Sequence, residues 1–201
     1  QECPSQRPNQ TYVRCFSEKD LLSKFINHFL EISPNVITGW NIELFDIPYL
    51  CSRIARILGE DTVKRLSPWN IVKGKTFEKF GKNFTVFDIV GVATLDYLEL
   101  YKKFTYNVQE SYKLSHIAKI ELGEEKLEYD EYDSFREFYQ TNWPKFVLYN
   151  VVDVELVDKL EMKMKLIELI LTMAYAAKCN YNDVFSAVRL WDCTLYNHCL
   201  H

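Results

Sequence analysis

Leu22, Phe25, Ile26, Phe29 and Leu30 recur at helical spacing. Ahead of them, Ser17-Glu18-Lys19-Asp20 places an acid three residues after a serine, the pattern of a capping box. Together they predict an amphipathic helix over about residues 18–31. Ser33-Pro34-Asn35 breaks it, and the short, partly branched run Val36–Trp40 reads as a buried strand. Asn41–Phe45 reads as a turn. Pro48 suits the first turn of a second helix, whose inner face is Ile47, Leu50, Ile54 and Leu58 and whose stop is Gly59. Asn70–Phe80 and Phe84–Ile89 flank Gly81-Lys82-Asn83, which predicts a hairpin with a polar three-residue tip. A helix is expected over about 93–103, and another ending near Gly123. The acidic run Glu124–Asp133 reads as exposed loop, and 134–142 as a short helix. Pro144 then opens a long helical run to about Ala177. Asn180–Asp183 punctuates it before a last helix over 184–198. Strands early and helices later, joined by short links, predict a mixed α/β fold.

Composition narrows the function. The chain has 201 residues, 48% hydrophobic and 26% charged, enough for one large domain or one domain with an extension, and too apolar for a disordered segment. Its net charge of −4 argues against a domain that holds nucleic acid by bulk charge, and leaves open an enzyme that binds it in a local groove. No apolar run approaches the roughly 18 residues of a membrane span, and QECPSQRPNQ has no signal-peptide core. Six cysteines without a CxxC pair read as free thiols in a reducing compartment, so a cytoplasmic, non-secreted protein is expected. The six glycines assemble neither GxGxxG nor a P-loop, and no GxSxG exists. The tail Cys193–His201 gathers two Cys and two His, but their spacing fits no common zinc pattern.

Two stretches carry candidate chemistry. In ITGWNIELFDIPYLCSRI a buried strand ends at Asn41, and Asp46 follows just before a helix. A carboxylate there is either a helix cap or a ligand group off the end of a strand, where α/β sheets put metals and substrates. In YNVVD, Tyr149 and Asp153 stand at i and i+4 and share a helix face. A phenol there can bond a water that the carboxylate helps hold on a metal. Tyr129 and Asp133 repeat the spacing, but in the acidic loop, where nothing fixes their geometry. Lys102-Lys103 reads equally as a phosphate contact or a solvated helix end. His28 and His116 have no assigned role.

Taken together, these stretches resemble the proofreading 3′–5′ exonuclease domain of family B DNA polymerases. TGWNIELFDIPYL is similar to that family's second exonuclease motif and YNVVD to its third. LDYLELYKKF, SYKLSHIA, LGEEKLEYD and VFSAVRLWDCTLYN continue the likeness in order, toward the T-even-type phage branch, over about residues 13–200. The resemblance implies a ribonuclease-H-like (DnaQ-like) α/β exonuclease fold, N-terminally truncated and helix-rich in its C-terminal half. It implies a partial exonuclease domain over 1–178 and a helical segment over 179–201 leading toward the polymerase palm. It implies two Mg²⁺ or Mn²⁺ ions in a complete parent enzyme, with Asp153 and Asp46 as metal ligands and Tyr149 orienting the attacking water. Asn41 and Phe45 would then meet the single-stranded 3′ primer end of DNA. Trp40 either stacks on a base or packs in the core, the latter being favoured.

The family's first motif, Asp-x-Glu on a strand, does not occur before Val36, and Asp88 in FDIV has Val90 where the glutamate would stand. The expectation is therefore a fragment with weak metal binding, whose partners are DNA and the remainder of the polymerase chain. Self-association through an unpaired sheet edge is also expected. The alternative is a catalytically inactive α/β module that binds DNA or a protein.

Overall fold

A computed structural model describes residues 10–79, 81–123 and 135–200. In chain order the elements are α1 (Glu18–Ile32), β1 (Val36–Gly39), α2 (Asp46–Leu58), α3 (Glu60–Lys64), β2 (Val72–Lys79), β3 (Lys82–Ile89), β4 (Ala93–Asp96) and α4 (Tyr97–Phe104). They continue with α5 (Leu114–Leu122), α6 (Phe135–Thr141), α7 (Trp143–Met164), α8 (Leu166–Ala177), a 3-10 turn (Tyr181–Phe185) and α9 (Ala187–Cys199). The described residues fall into two compact units. One comprises 15–106 with 166–200, and the other 10–14 with 107–165, each less its undescribed positions.

In the first unit α1 begins as its sequence dictates. Ser17 Oγ accepts from the Asp20 amide at 3.1 Å, while the Asp20 carboxylate accepts from the amide of Phe16, one residue short of the usual reciprocal bond. Leu22 and Ile26 face inward, whereas Phe25 and Leu30 stay exposed, so the buried stripe is narrower than the sequence pattern. α1 packs on α2, whose Ile47, Cys51 and Ile54 are buried and join Leu66, Ile89 and Val92 in one cluster. Gly59 ends α2 at φ +95.

Two small sheets frame this core. β1 and β4 run parallel, with Val36 opposite Ala93 and Gly39 opposite Asp96. β2 and β3 form an antiparallel hairpin with Val72 opposite Ile89. Its base is anchored by Ile89, with Val72 and Phe87 packed against the cluster. Beyond that base Phe77 stacks on Phe84 at 6.0 Å, and β2 is exposed from Lys73 to Glu78. Among the described residues, neither β1 nor β4 pairs with a further strand.

Four expectations change. Ala93–Asp96 is strand, not the start of a helix, because those four residues find a partner in β1; α4 starts only at Tyr97. The hairpin register pairs Lys79 with Lys82, so Lys82 and Asn83 belong to β3 and not to the tip. The long C-terminal run is two helices, because Lys165 adopts the left-handed conformation at φ 54 and closes α7 with its amide on Glu161 O. The last helix starts at Ala187, capped by Ser186, and the preceding Tyr181–Phe185 is a 3-10 turn. The acidic segment 124–133, with Tyr129 and Asp133, lies outside the described residues.

The described elements of the second unit are all helices, with α5 and α6 packed on α7. Gly123 closes α5 in the left-handed conformation, and Asn142 caps α7 by accepting from the Lys145 amide. Phe135, Phe138, Phe146 and Tyr149 form an edge-to-face cluster there, with Phe138 fully buried. No described helix is long and apolar enough to cross a membrane.

Candidate nuclease site

The end of β1 turns sharply, and its sequence is built for that. A Cβ on Gly39 would lie 2.5 Å from Ile42 Cγ2, so the turn folds back on the strand only over glycine. Asn41 sits in the left-handed region at φ 62, which asparagine tolerates better than most residues. Ile42 is buried, and its carbonyl accepts from the Ile47 amide at 3.0 Å. Asp46 is thereby set as the first residue of α2, and the N-cap position belongs to Phe45, whose side chain makes no capping bond.

Asp46 is exposed to solvent. Desolvation by the surrounding protein nevertheless raises its carboxyl above the usual range. Its own amide partly opposes this, and the Asp96 charge adds to the rise. Phe45 is 63% exposed, its ring open to a ligand. Trp40 is half-buried, its ring 6.4 Å from Tyr97 and 6.1 Å from Tyr101, an intramolecular aromatic cluster.

Asp96 is the residue that sequence reasoning missed. Only 3% exposed, it caps α4 by accepting from the Leu98 amide at 3.0 Å. It also accepts from the amides of Asn41 at 2.9 Å and Glu43 at 3.1 Å. Burial raises its carboxyl, the three N–H bonds pull it back down, and the nearby Glu99 charge adds to the rise. An acid just before a helix announces the cap; its bonds to the turn follow only from the parallel pairing of β1 with β4.

In the other unit Tyr149 and Asp153 lie one turn apart on α7. Tyr149 packs edge-on against Phe135 at 6.1 Å and Phe138 at 5.9 Å, which fixes its ring. Asp153 is half-buried, with Oδ1 shielded from solvent. Asn41, Phe45 and Asp46 are thus gathered on one turn of the first unit, and Tyr149 with Asp153 on one helix of the second.

The basic pair of α4 is engaged internally. Lys102 bonds Glu99 at 2.9 Å, and Lys103 donates to the Phe185 carbonyl and lies over the Phe104 and Phe185 rings. Among the described residues no three His, Cys, Asp or Glu side chains converge as a metal cluster. Magnesium and manganese take hard oxygen donors. Asp46 and Asp153 are such donors in kind, one open to solvent and the other partly withdrawn from it.

Residues 2–117 match the family described as DNA polymerase family B, exonuclease domain, which is more than half of the chain. The chain belongs to the family B DNA polymerases. It is 38% identical over 186 residues to the DNA-directed DNA polymerase of Escherichia phage RB69, covering 92% of this chain and 20% of that protein. To the DNA-directed DNA polymerase of Enterobacteria phage T4 it is 37% identical, with the same coverage. A DNA polymerase of Paramecium bursaria Chlorella virus NY2A is 29% identical over 181 residues, 83% of this chain and 20% of the relative. The chain therefore spans about a fifth of the length of these polymerases. Its family B exonuclease sequence, T4-like in character, includes the turn that bears Asp46.

Proposed function

We propose that this chain serves as the proofreading 3′–5′ exonuclease portion of a family B polymerase, acting on the single-stranded 3′ end of a DNA primer. The observation that carries it is the Asp46 turn. Within a sequence of this family, a glycine-permitted turn presents an open carboxylate at the start of a helix, beside an exposed phenylalanine.

In this reading Asp46 and Asp153 would each ligate a divalent cation, and the bound cations would supply charge neutralisation at the phosphate and a more acidic water. Tyr149, its ring fixed by Phe135 and Phe138, orients the attacking water by one hydrogen bond. Phe45 stacks on a terminal base, an arrangement that tolerates any sequence. Asn41 lies along the terminal nucleotides. The N-terminal dipole of helix α2 offsets part of the desolvation of the Asp46 carboxylate. The proposed exonuclease portion is 1–178, with 179–201 leading toward the polymerase palm, and the proposed location is the cytoplasm of a host cell.

The test is nucleotide release from a 3′-labelled primer in Mg²⁺, by the full polymerase polypeptide that carries this segment. Asp46→Ala and Asp153→Ala should each slow release by several orders of magnitude while sparing primer extension. Tyr149→Phe should cost ~10²-fold, the loss of one bond to water. Unchanged release by Asp153→Ala overturns its assignment as a ligand. Unchanged release by both alanine variants favours the binding-module alternative.

A further inference from the structure

We propose that Asp96 is the positioning residue of the nuclease turn, holding the backbone of residues 41–43 so that Asp46 stands in its working place. The inference rests on the reading of Asp46 given above and adds a residue to it.

Three features of the geometry converge. Asp96 divides its two oxygens between two elements: Oδ1 accepts from Asn41 and Leu98, and Oδ2 accepts from Glu43. The turn it holds is a strained and open one, since Asn41 is left-handed and Glu43 and Phe45 are exposed. Asp96 itself cannot wander: it ends a strand in register with Gly39, the last residue before the turn, and it is buried. Thr38 Oγ1 donates to the Leu95 carbonyl at 2.7 Å and locks the same two strands together. The carboxylate is thus a bracket from β4 to the turn, buried and with both its oxygens accepting from backbone amides. That argues for positioning rather than for contact with substrate or metal.

The two jobs of Asp96 separate by substitution. A serine at this position keeps an oxygen for the Leu98 amide and so preserves the helix cap, but is too short to reach Asn41 and Glu43. An asparagine keeps an oxygen for Asn41 and Leu98 and turns an amide group toward Glu43. An alanine loses everything.

The experiment uses the full polymerase polypeptide and measures excision of a 3′-labelled primer with Mg²⁺, primer extension, and thermal unfolding. Asp96→Ser, which keeps the cap, should unfold above Asp96→Ala, and both below the wild type. Both should lose excision kcat by a similar factor of about 10–100, with the primer KM within about twofold and extension intact. Asp96→Asn should recover part of that rate. Wild-type excision by Asp96→Ser overturns the proposal and leaves only a helix cap. A rate loss that follows unfolding temperature, large in Asp96→Ala and absent in Asp96→Ser, overturns it equally. These outcomes leave Asp46→Ala inactive, so the proposal fails while the underlying reading stands. If Asp46→Ala itself excises normally, that reading falls and the proposal with it.

Discussion

Gly39→Ala is the sharpest probe of how the turn is built. The added methyl would meet Ile42 Cγ2 at 2.5 Å, well inside contact distance, and Ile42 is only 7% exposed, so it has little room to yield. Overpacking of this kind costs about 1–3 kcal/mol, and replacing glycine in the unfolded chain returns about 0.4–1 kcal/mol, because Gly39 does not need a positive φ. The net expectation is a loss of between about 0 and about 2.6 kcal/mol. The contact can be isolated by removing its other half. Ile42→Ala alone should cost about 2–5 kcal/mol as a buried truncation. In that background Gly39→Ala should be neutral or slightly stabilising, giving a coupling of about 1–3 kcal/mol between the two positions. Urea unfolding of the four chains, followed by tryptophan fluorescence, reads these values. If Gly39→Ala costs as much in the Ile42→Ala background as in the wild type, the steric account of the turn is wrong.

Ser17→Ala should destabilise the chain by about 1 kcal/mol through loss of the α1 cap, and a melting temperature equal to wild type would refute it. Cys51 is 1% exposed and burial pushes its thiol up to about 11, so at pH 8 it should alkylate far more slowly than exposed Cys199; equal labelling in the folded protein would contradict the packing of α2. The hydrogen bond from Arg189 holds the Asp183 carboxyl below its usual range. The stability it adds is therefore present above the unfolded carboxyl pKa of about 4 and lost as pH falls through the lower folded value. Its worth is at most about 1 kcal/mol, because Arg189 is largely exposed. Asp183→Asn should accordingly be less stable at pH 7 and indistinguishable from wild type in strong acid, and a gap that widens on acidification would reverse the sign. The edges of the β1–β4 pair, which no further described strand joins, should drive self-association of the isolated chain at high concentration, and a strict monomer in sedimentation would refute that.

What could be read from the sequence is what depends on neighbours. The Ser17 cap, the Gly59 and Gly123 stops and the Ser33 break are local, and each follows from its own residue type. The stretch carrying Asp46 was legible by its likeness to a known family, whose match over residues 2–117 includes it; Tyr149 and Asp153 lie beyond that match, and only their i, i+4 spacing on α7 could be read locally. What escaped depended on partners elsewhere. Ala93–Asp96 is too short to show a period and runs straight into α4, so only its pairing with β1 makes it a strand. Lys165 carries no breaker signal, and the apolar pattern continues across it, yet its left-handed backbone ends α7. The second job of Asp96 was hidden for the same reason.

The bracket from Asp96 to Asn41 spans 55 positions of chain. A ribosome adding about 5–20 residues per second needs about 3–11 s to cover that interval. Through that interval the growing polypeptide holds Asp46 on a turn that lacks its fastening. Readiness of this turn is therefore a matter of timing. It arrives with β4, after the hairpin has been made, and any stall in translation between the two leaves a nascent chain whose Asp46 turn has yet to set.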